Sequence, residues 1–343
     1  NLIWTYYLGL ALALWLSSHR RQASTLASVK SGINKISDFT ASLPKKWVIP
    51  PLLVVAILVS LVAATMPDDN LHISFLDVGQ GDATLIQKGN QQVLVDGGPS
   101  PQAIGLALGE KMPFWDRTID LVILTHPHVD HLTGLLEVLQ RYKVKQVLYP
   151  DLDFKSDIYD EWLSLLEEKD IKCTIAQAGQ QIDLGEVVIK VLNPQIPLLT
   201  GTESDIDNNG MVLHISMGEV SFLLTADIMW EAEFELVARR ANLASTVLKI
   251  AHHGSGTSTT PEFLAVVNPQ LAVISVGADN KFGHPTPEVM ERLEEKLGSE
   301  NIYRTDKQGT IEFITDGERL WVKVEKGKES PLTFSFPQRY SIV

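Results

Sequence analysis

The stretch from 120 to 134 constrains this chain more than any other. Asp120-Leu-Val-Ile-Leu124 reads as a buried strand. It leads straight into Thr125-His126-Pro127-His128-Val129-Asp130-His131, so three of the chain's nine histidines stand within six positions. Such clustering is improbable by chance. Pro127 keeps the stretch from being helical. His126 and His128, two apart in extended backbone, then point to the same side. Asp130 and His131 fall at the mouth of the following helical pattern. Neutral imidazoles and a carboxylate suit zinc or another first-row divalent ion.

Other strands end in polar residues too. Val-Leu-Val runs into Asp96, Leu-Leu-Thr-Ala into Asp227, and Leu-Lys249-Ile-Ala into His252 and His253. A lone Asp at a strand end is ordinarily a turn or cap residue. Only their recurrence beside the histidine cluster points to one site. Cys173 is the single cysteine, which excludes an intramolecular disulfide framework and a multi-cysteine zinc site. Short strand-like runs alternate with helical patterns from 71 to 325. This favours an α/β (α+β) domain of sheets covered by helices over 68–325, followed by a tail over 326–343 without clear periodicity.

The charge is uneven. Residues 1–67 hold six basic residues (Arg20, Arg21, Lys30, Lys35, Lys45, Lys46) and one acid, Asp38, out of 29 and 42 in the whole chain. The remainder therefore holds 23 against 41, a net of −18. The mean hydropathy of +0.05 averages two unlike parts. Residues 1–16 are uncharged and read as the end of a truncated membrane helix. Trp47–Met66 is an uncharged run of 20 residues. As a helix, that run would span about 30 Å, with Pro50 and Pro51 in its first turn. The basic loop 17–46 between the two runs belongs on the cytoplasmic side, which puts 68–343 outside the membrane. An acidic domain also excludes a broad phosphate-wrapping surface.

The ordered set of strand ends resembles the metallo-β-lactamase superfamily. Its His-x-His-x-Asp-His motif stands as His126-Pro-His128-Val-Asp130-His131. The resemblance covers roughly 70–325 and implies a four-layer αββα sandwich. It implies that His126 and His128 serve one divalent ion and Asp130 and His131 a second. Asp227 would bridge the two, and one of the His252-His253 pair would complete the second set. His253 is taken as the ligand and His252 as a catalytic group. Asp96 matches the strand-end acid that orients the histidine loop. The third ligand of the first set should lie before Asp227. His214, flanked by apolar residues, reads as a sheet residue. Asn209, in Asp207-Asn208-Asn209-Gly210, is taken for that position.

Further stretches narrow the resemblance. Asp77-Val-Gly79-Gln80-Gly81-Asp82 opens the domain, Ser255 and Ser258 follow the histidine pair, Gly283-His284-Pro285 precedes a helix, and Arg304-Thr305-Asp306 lies near the end. Behind an apolar N-terminal region, this set is similar to the C-terminal domain of ComEC-type competence proteins. The resemblance implies a metal-dependent phosphodiesterase or nuclease acting on incoming DNA, single-stranded, by metal-hydroxide attack. It implies two zinc or manganese ions and a multi-pass protein of the bacterial cytoplasmic membrane, with other competence proteins as partners. Alternatives are a hydrolase of another phosphoester at the cell surface and a non-catalytic DNA-binding or gating domain. Asp130, Asp227, His252 and His284 are the candidate catalytic residues, the last as a donor to the transition state. Gly79 and Gly81 permit a tight bend that brings Gln80 or Asp82 toward the metals. Lys249 is read as a surface lysine. Arg117, Arg141, Lys143, Lys145, Lys281 and Arg304 are the candidates for a sparse basic groove.

Overall fold

The computed structural model of the protein describes residues 45–64, 66–113, 115–326 and 334–335. The expected helix over 1–16, most of the loop over 17–46 and most of the tail over 326–343 lie outside them. The chain divides into two compact units, Asn1–Met66 and Pro67–Val343.

In the first unit, α1 (Lys45–Ala64) is apolar along its length, and its side chains from Ile49 to Leu61 are exposed. It departs from the expected span over 47–66 at both ends. It opens on two lysines and stops at Ala64, so Pro50 and Pro51 fall in its second turn, where each removes a backbone donor. Among the described residues no helix is long and apolar enough to cross a membrane.

The second unit begins with β1 (Leu71–Phe75), β2 (Thr84–Lys88), β3 (Gln91–Val95), β4 (Thr118–Ile119), β5 (Leu121–Ile123), β6 (Lys143–Val144), β7 (Gln146–Tyr149) and β8 (Lys172–Ile175). Helices α2 (Pro101–Lys111), α3 (Val129–Arg141) and α4 (Asp157–Glu168) lie between them. The second half carries β9 (Gln181–Leu184), β10 (Val187–Asn193), β11 (Val212–Met217), β12 (Val220–Leu224), β13 (Val247–Lys249), β14 (Leu271–Ile274) and β15 (Ile302–Arg304). Its helices are α5 (Asp205–Asn208), α6 (Trp230–Ala238), α7 (Pro261–Val267), α8 (Pro287–Leu297) and α9 (Thr305–Gln308). The chain then returns through β16 (Ile311–Thr315), β17 (Arg319–Val324) and β18 (Phe334–Ser335). The two-residue β18 gives the tail a regular element where none is expected.

Two sheets follow. The first runs β18-β17-β16-β1-β2-β3-β5-β7-β8, and the second β15-β14-β13-β12-β11-β10-β9. Three apolar clusters show how they stack. Ile73, Phe75, Ile86, Phe222, Leu213 and Phe313 belong to both sheets and pack face to face. Ile104, Leu108, Leu132, Leu135 and Trp162 bind α2, α3 and α4 to the outer face of the first sheet. Ala232, Leu236, Phe263, Leu264, Val289 and Leu293 do the same for α6, α7 and α8 on the second. Central strands such as β5 and β14 are thus buried on both faces, which is why runs such as Leu121–Leu124 are continuous, whereas the edge strand β8 is exposed along its length. The layers are helix, sheet, sheet, helix: the expected αββα sandwich.

One contact in this packing bears directly on the histidine loop. Gly134 in α3 approaches the turn after β3, and its amide donates to Gly98 O at 2.8 Å while Gly97 N donates to His131 O at 2.7 Å. A Cβ on Gly134 would lie 1.9 Å from Gly97 O. Only glycine allows the start of α3 to sit this close. We expect Gly134→Ala to destabilise the domain by about 1–3 kcal/mol or more and to weaken divalent-ion binding with it. Denaturant unfolding and metal titration of the variant check both.

Candidate metal centre

The site forms where the carboxyl ends of strands from both sheets meet at one edge of the sandwich. β3 and β5 are parallel neighbours in the first sheet, and β12, β13 and β14 are parallel neighbours in the second. Asp96 follows β3, Thr125 to His131 follow β5, Asp227 follows β12, and His252 and His253 follow β13.

Their side chains converge as three groups. Asp130, His131, Asp227 and His253 form one. His126, His128 and Asp207 form a second, and Asp82, Asp96 and His131 a third. Within each group the ligand atoms lie within 4.8 Å of one another. In the first, His131 Nε2 is 3.3 Å from Asp227 Oδ2, and His253 Nε2 is 3.3 Å from the same oxygen and 3.2 Å from Asp130 Oδ2. In the second, Asp207 Oδ1 is 3.4 Å from His126 Nε2 and 3.0 Å from His128 Nδ1. The rings of His126 and His131 are 4.1 Å apart, so the two groups adjoin.

The residues fit divalent ions. His126 Nε2, His131 Nε2, Asp207 Oδ1 and Asp227 Oδ1 are buried without a hydrogen-bond partner, and all four belong to the two adjoining groups. Buried polar atoms are rarely left so. A divalent ion in each group would satisfy them.

Supporting contacts set the ring orientations. Asp96 accepts from Thr125 N and Thr125 Oγ1 at 2.7 Å each, and its Oδ2 is 2.8 Å from His131 Nδ1. That leaves His131 Nε2 to face Asp227, the orienting role expected of Asp96. Ser275 O holds His253 Nδ1 at 2.9 Å, which likewise turns Nε2 inward. The backbone is strained around these residues. Asp96, Ala226, His252 and His253 all have left-handed φ, between 47° and 59°, each at a cost of order 1 kcal/mol or more. The left-handed pair separates its rings. His253 joins the ligand group, whereas His252 contacts Thr257 Oγ1 at 3.3 Å and faces His284 with ring centroids 5.9 Å apart. His284 Nδ1 is buried with no partner.

Asp207, not Asn209, stands with His126 and His128. The Asn209 side chain is used elsewhere: its Oδ1 accepts from Leu199 N at 2.9 Å, and its Nδ2 donates to Leu199 O at 2.8 Å and Asp205 O at 2.7 Å. Asn208 caps α6, accepting from Met229 N and Ala232 N. The two asparagines thus pin the short helix α5 so that Asp207 projects into the site. His214 is a sheet residue as expected, 3.2 Å from Ala244 O.

Lys249 departs most from its expected place. It is buried, not on the surface, and its ammonium donates to Ala226 O at 3.0 Å, pairs with Asp82, and lies 3.7 Å from Asp227 Oδ1. Burial disfavours its charge, but Asp82, Asp227 and Asp96 outweigh that and raise its pKa. The available signal was its position inside an apolar strand, one residue from Ile250 and three from His252. Asp82 arrives by the bend at Gly81, where φ is 150° and a Cβ would lie 2.2 Å from Asp130 O. Gln80 turns away and accepts from Gly277 N.

The electrostatics match the ligand assignment. Burial and the neighbouring His131 hold His126 well below the usual histidine range, so it is neutral and ready to ligate. Burial opposes charge on His131, yet Asp227, Asp96 and Asp130 carry its pKa well above that range. His253 is raised to about 10 against the effect of burial, chiefly by Asp227 and Asp130. Burial alone would raise Asp227, but His253 and His131 hold it well below the carboxylate range.

Without metal, then, His131 and His253 carry protons at pH 7 that a metal must displace. Affinity should therefore rise with pH toward about 10, and binding should release protons. Calorimetric titration with Mn²⁺ or Zn²⁺ in buffers of different ionisation enthalpy measures the number released. Asp207→Ala should lower the bound metal count, and Asn209→Ala should leave it unchanged.

The comparisons with known proteins agree with this geometry. The metallo-beta-lactamase superfamily model matches residues 76–278. The chain is 30% identical over 260 residues to ComE operon protein 3 of Bacillus subtilis (strain 168), covering 71% of this chain and 33% of that protein. It is 30% identical over 263 residues to Recombination protein 2 of Haemophilus influenzae, covering 76% and 31%. It is 27% identical over 275 residues to Competence protein ComA of Neisseria gonorrhoeae, covering 76% and 35%. The chain therefore spans about a third of the length of these curated relatives. With its ligand sets and its match over more than half its length, the chain belongs to the metallo-beta-lactamase superfamily, and its relatives there are of the ComEC competence type.

Proposed function

We propose that residues 68–325 are a metal-dependent phosphodiesterase that hydrolyses DNA, most readily as a single strand, within a DNA-uptake protein. The observation that carries this reading is the adjoining pair of ligand groups, joined through the His126–His131 contact. Two neighbouring divalent ions supply an activated water near neutral pH and charge stabilisation for a phosphoryl group in flight. Zinc or manganese fits a set of four imidazoles and carboxylates. The competence name of a relative supports DNA as the substrate.

The chain's own residues then take these roles. His126, His128 and Asp207 hold one position, and Asp130, His131 and His253 the other. Asp227 belongs to the set with Asp130, His131 and His253 and acts electrostatically on His126 and Asp207 of the other, so it would serve both positions. Asp96 accepts a hydrogen bond from His131 Nδ1–H, which keeps the proton on Nδ1 and leaves Nε2 for a metal. Lys249 offsets the carboxylates behind the ligands and locks Asp82 and Asp227 in place. His252 and His284 face each other beside His253 without joining the ligand groups, so they are free to donate to a developing oxyanion or leaving group. The apolar runs over 1–16 and 47–66 support a place in the bacterial cytoplasmic membrane, with the domain outside it and other competence proteins around it.

Labelled single- and double-stranded DNA offered to the purified chain tests the reading. Chelation should abolish cleavage and added Mn²⁺ or Zn²⁺ should restore it. Asp227→Asn or His131→Ala should lower the rate by about 100-fold or more, and should also lower the unfolding temperature of the metal-free protein, because each removes one partner of a buried ion pair. The apparent affinity should fall as salt rises. Full activity after metal removal would overturn the proposal.

A further inference from the structure

The loop after β14 ends in Lys281-Phe282-Gly283-His284. Lys281 and Phe282 are exposed, the phenyl ring by 70%. That ring nonetheless has a fixed neighbour: it stacks on His284 at 5.8 Å with planes 24° apart. His284 lies 5.9 Å from His252, and His252 lies 6.2 Å from His253, whose Nε2 is 3.3 Å from Asp227. A file of four rings therefore runs from solvent to the ligand groups.

The loop is held in shape. Asn280 Oδ1 accepts from His284 N at 3.0 Å, and its Nδ2 donates to His284 O at 2.8 Å and Gly277 O at 2.9 Å. Gly277 N in turn donates to Gln80 Oε1 at 3.1 Å, tying the loop to the bend that carries Asp82. Phe282 is thus presented at the rim by a closed loop anchored to the site. His284 lies offset beside its ring, and most of the residue is exposed.

We propose that Phe282 is a stacking platform for an unpaired nucleobase, with Lys281 beside it to meet the sugar-phosphate backbone. This rests on the DNA-hydrolase reading and deepens it by naming the residue that would recognise an unpaired base. An aromatic face accepts any of the bases, because every base has a π-face. It needs a base with a free face, and in a duplex both faces are covered by neighbours. A single strand or a frayed end meets that condition. Stacking also suits an acidic domain. It supplies affinity that does not depend on releasing counterions, where several of the candidate groove cations are already paired: Arg304 with Asp306, Lys145 with Asp120 and Arg141 with Glu137.

Phe282→Ala and Phe282→Trp test this in the full chain, with a single-stranded oligonucleotide and its abasic counterpart as substrates. Phe282→Ala should raise KM on the intact oligonucleotide about 5- to 150-fold with kcat changed by less than about twofold. It should leave KM on the abasic strand unaltered, and Phe282→Trp should restore the wild-type KM. An unchanged KM on the intact strand, or an equal loss on the abasic one, overturns the platform. Fluorescence anisotropy of the same oligonucleotides in chelator separates the two readings. Binding that depends on Phe282, in a wild-type protein that cleaves no DNA, keeps the platform and sinks the nuclease. Cleavage indifferent to Phe282 keeps the nuclease and sinks the platform. Neither cleavage nor binding sinks both.

Discussion

Charge balance in one buried pocket governs this domain. Asp82, Asp96, Asp130, Asp207 and Asp227 converge there with His126, His128, His131 and His253. Carboxylates at that density cannot leave water without cations beside them. Lys249 is a built-in cation, and protonated His131 and His253 serve as others while no metal is bound. The pocket is therefore poised between two states. In one, protons on imidazoles balance the acids. In the other, divalent ions do, and the protons leave. Asp227 belongs to both states; the neighbouring His253 and His131 hold its pKa well below the usual range against the effect of burial.

The sandwich exists to hold that balance in place. The central strands are apolar and buried on both faces, and their carboxyl ends carry the polar residues of the site. Ligands from β3, β5, β12 and β13 come from different sheets, so the site is assembled only when the two sheets pack through Phe75, Phe222 and Phe313. Left-handed backbone at Asp96, His252 and His253 is tolerated because hydrogen bonds on either side over-determine it. The fold and the site are thus one cooperative unit. A methyl group at Gly134, remote from any ligand atom, displaces the histidine loop as surely as it strains the helix.

What could be read from residues alone follows from this arrangement. His126, His128, Asp130 and His131 were legible because they are contiguous and a proline fixes their backbone. Asp96 and Asp227 were legible as strand ends, and the αββα layers from the alternation and the resemblance. Asp207 was not, because two asparagines follow it and only the turn of α5 decides which of the three faces inward. Lys249 was misjudged for a related reason: a lysine in a strand reads as a solvated side chain unless its acidic partners are known, and Asp82 lies far away in sequence. The His252–His253 ambiguity needed the φ angles, since two adjacent residues in ordinary extended backbone would simply point to opposite sides. In the N-terminal unit the uncharged run was visible, but not that the helix would begin on Lys45 and stop at Ala64.

The acidity of the domain bears on substrate form as well. A net −18 repels a polyanion at long range, and salt screens that repulsion within about 10 Å. On the proposed DNA-hydrolase reading, contact with the substrate would be short-range: divalent ions on a phosphate, Lys281 on its neighbour, and a ring against a base. Each acts over one nucleotide. A strand held one nucleotide at a time has to be pliable enough to present phosphate and base to separate points of a narrow site. Single strands bend and unstack at little cost, whereas a duplex of persistence length about 150 base pairs does not. On that reading, the same negative field that excludes a broad basic face would favour the flexible form of the substrate, with the aromatic rim supplying short-range affinity that a sparse set of cations would not.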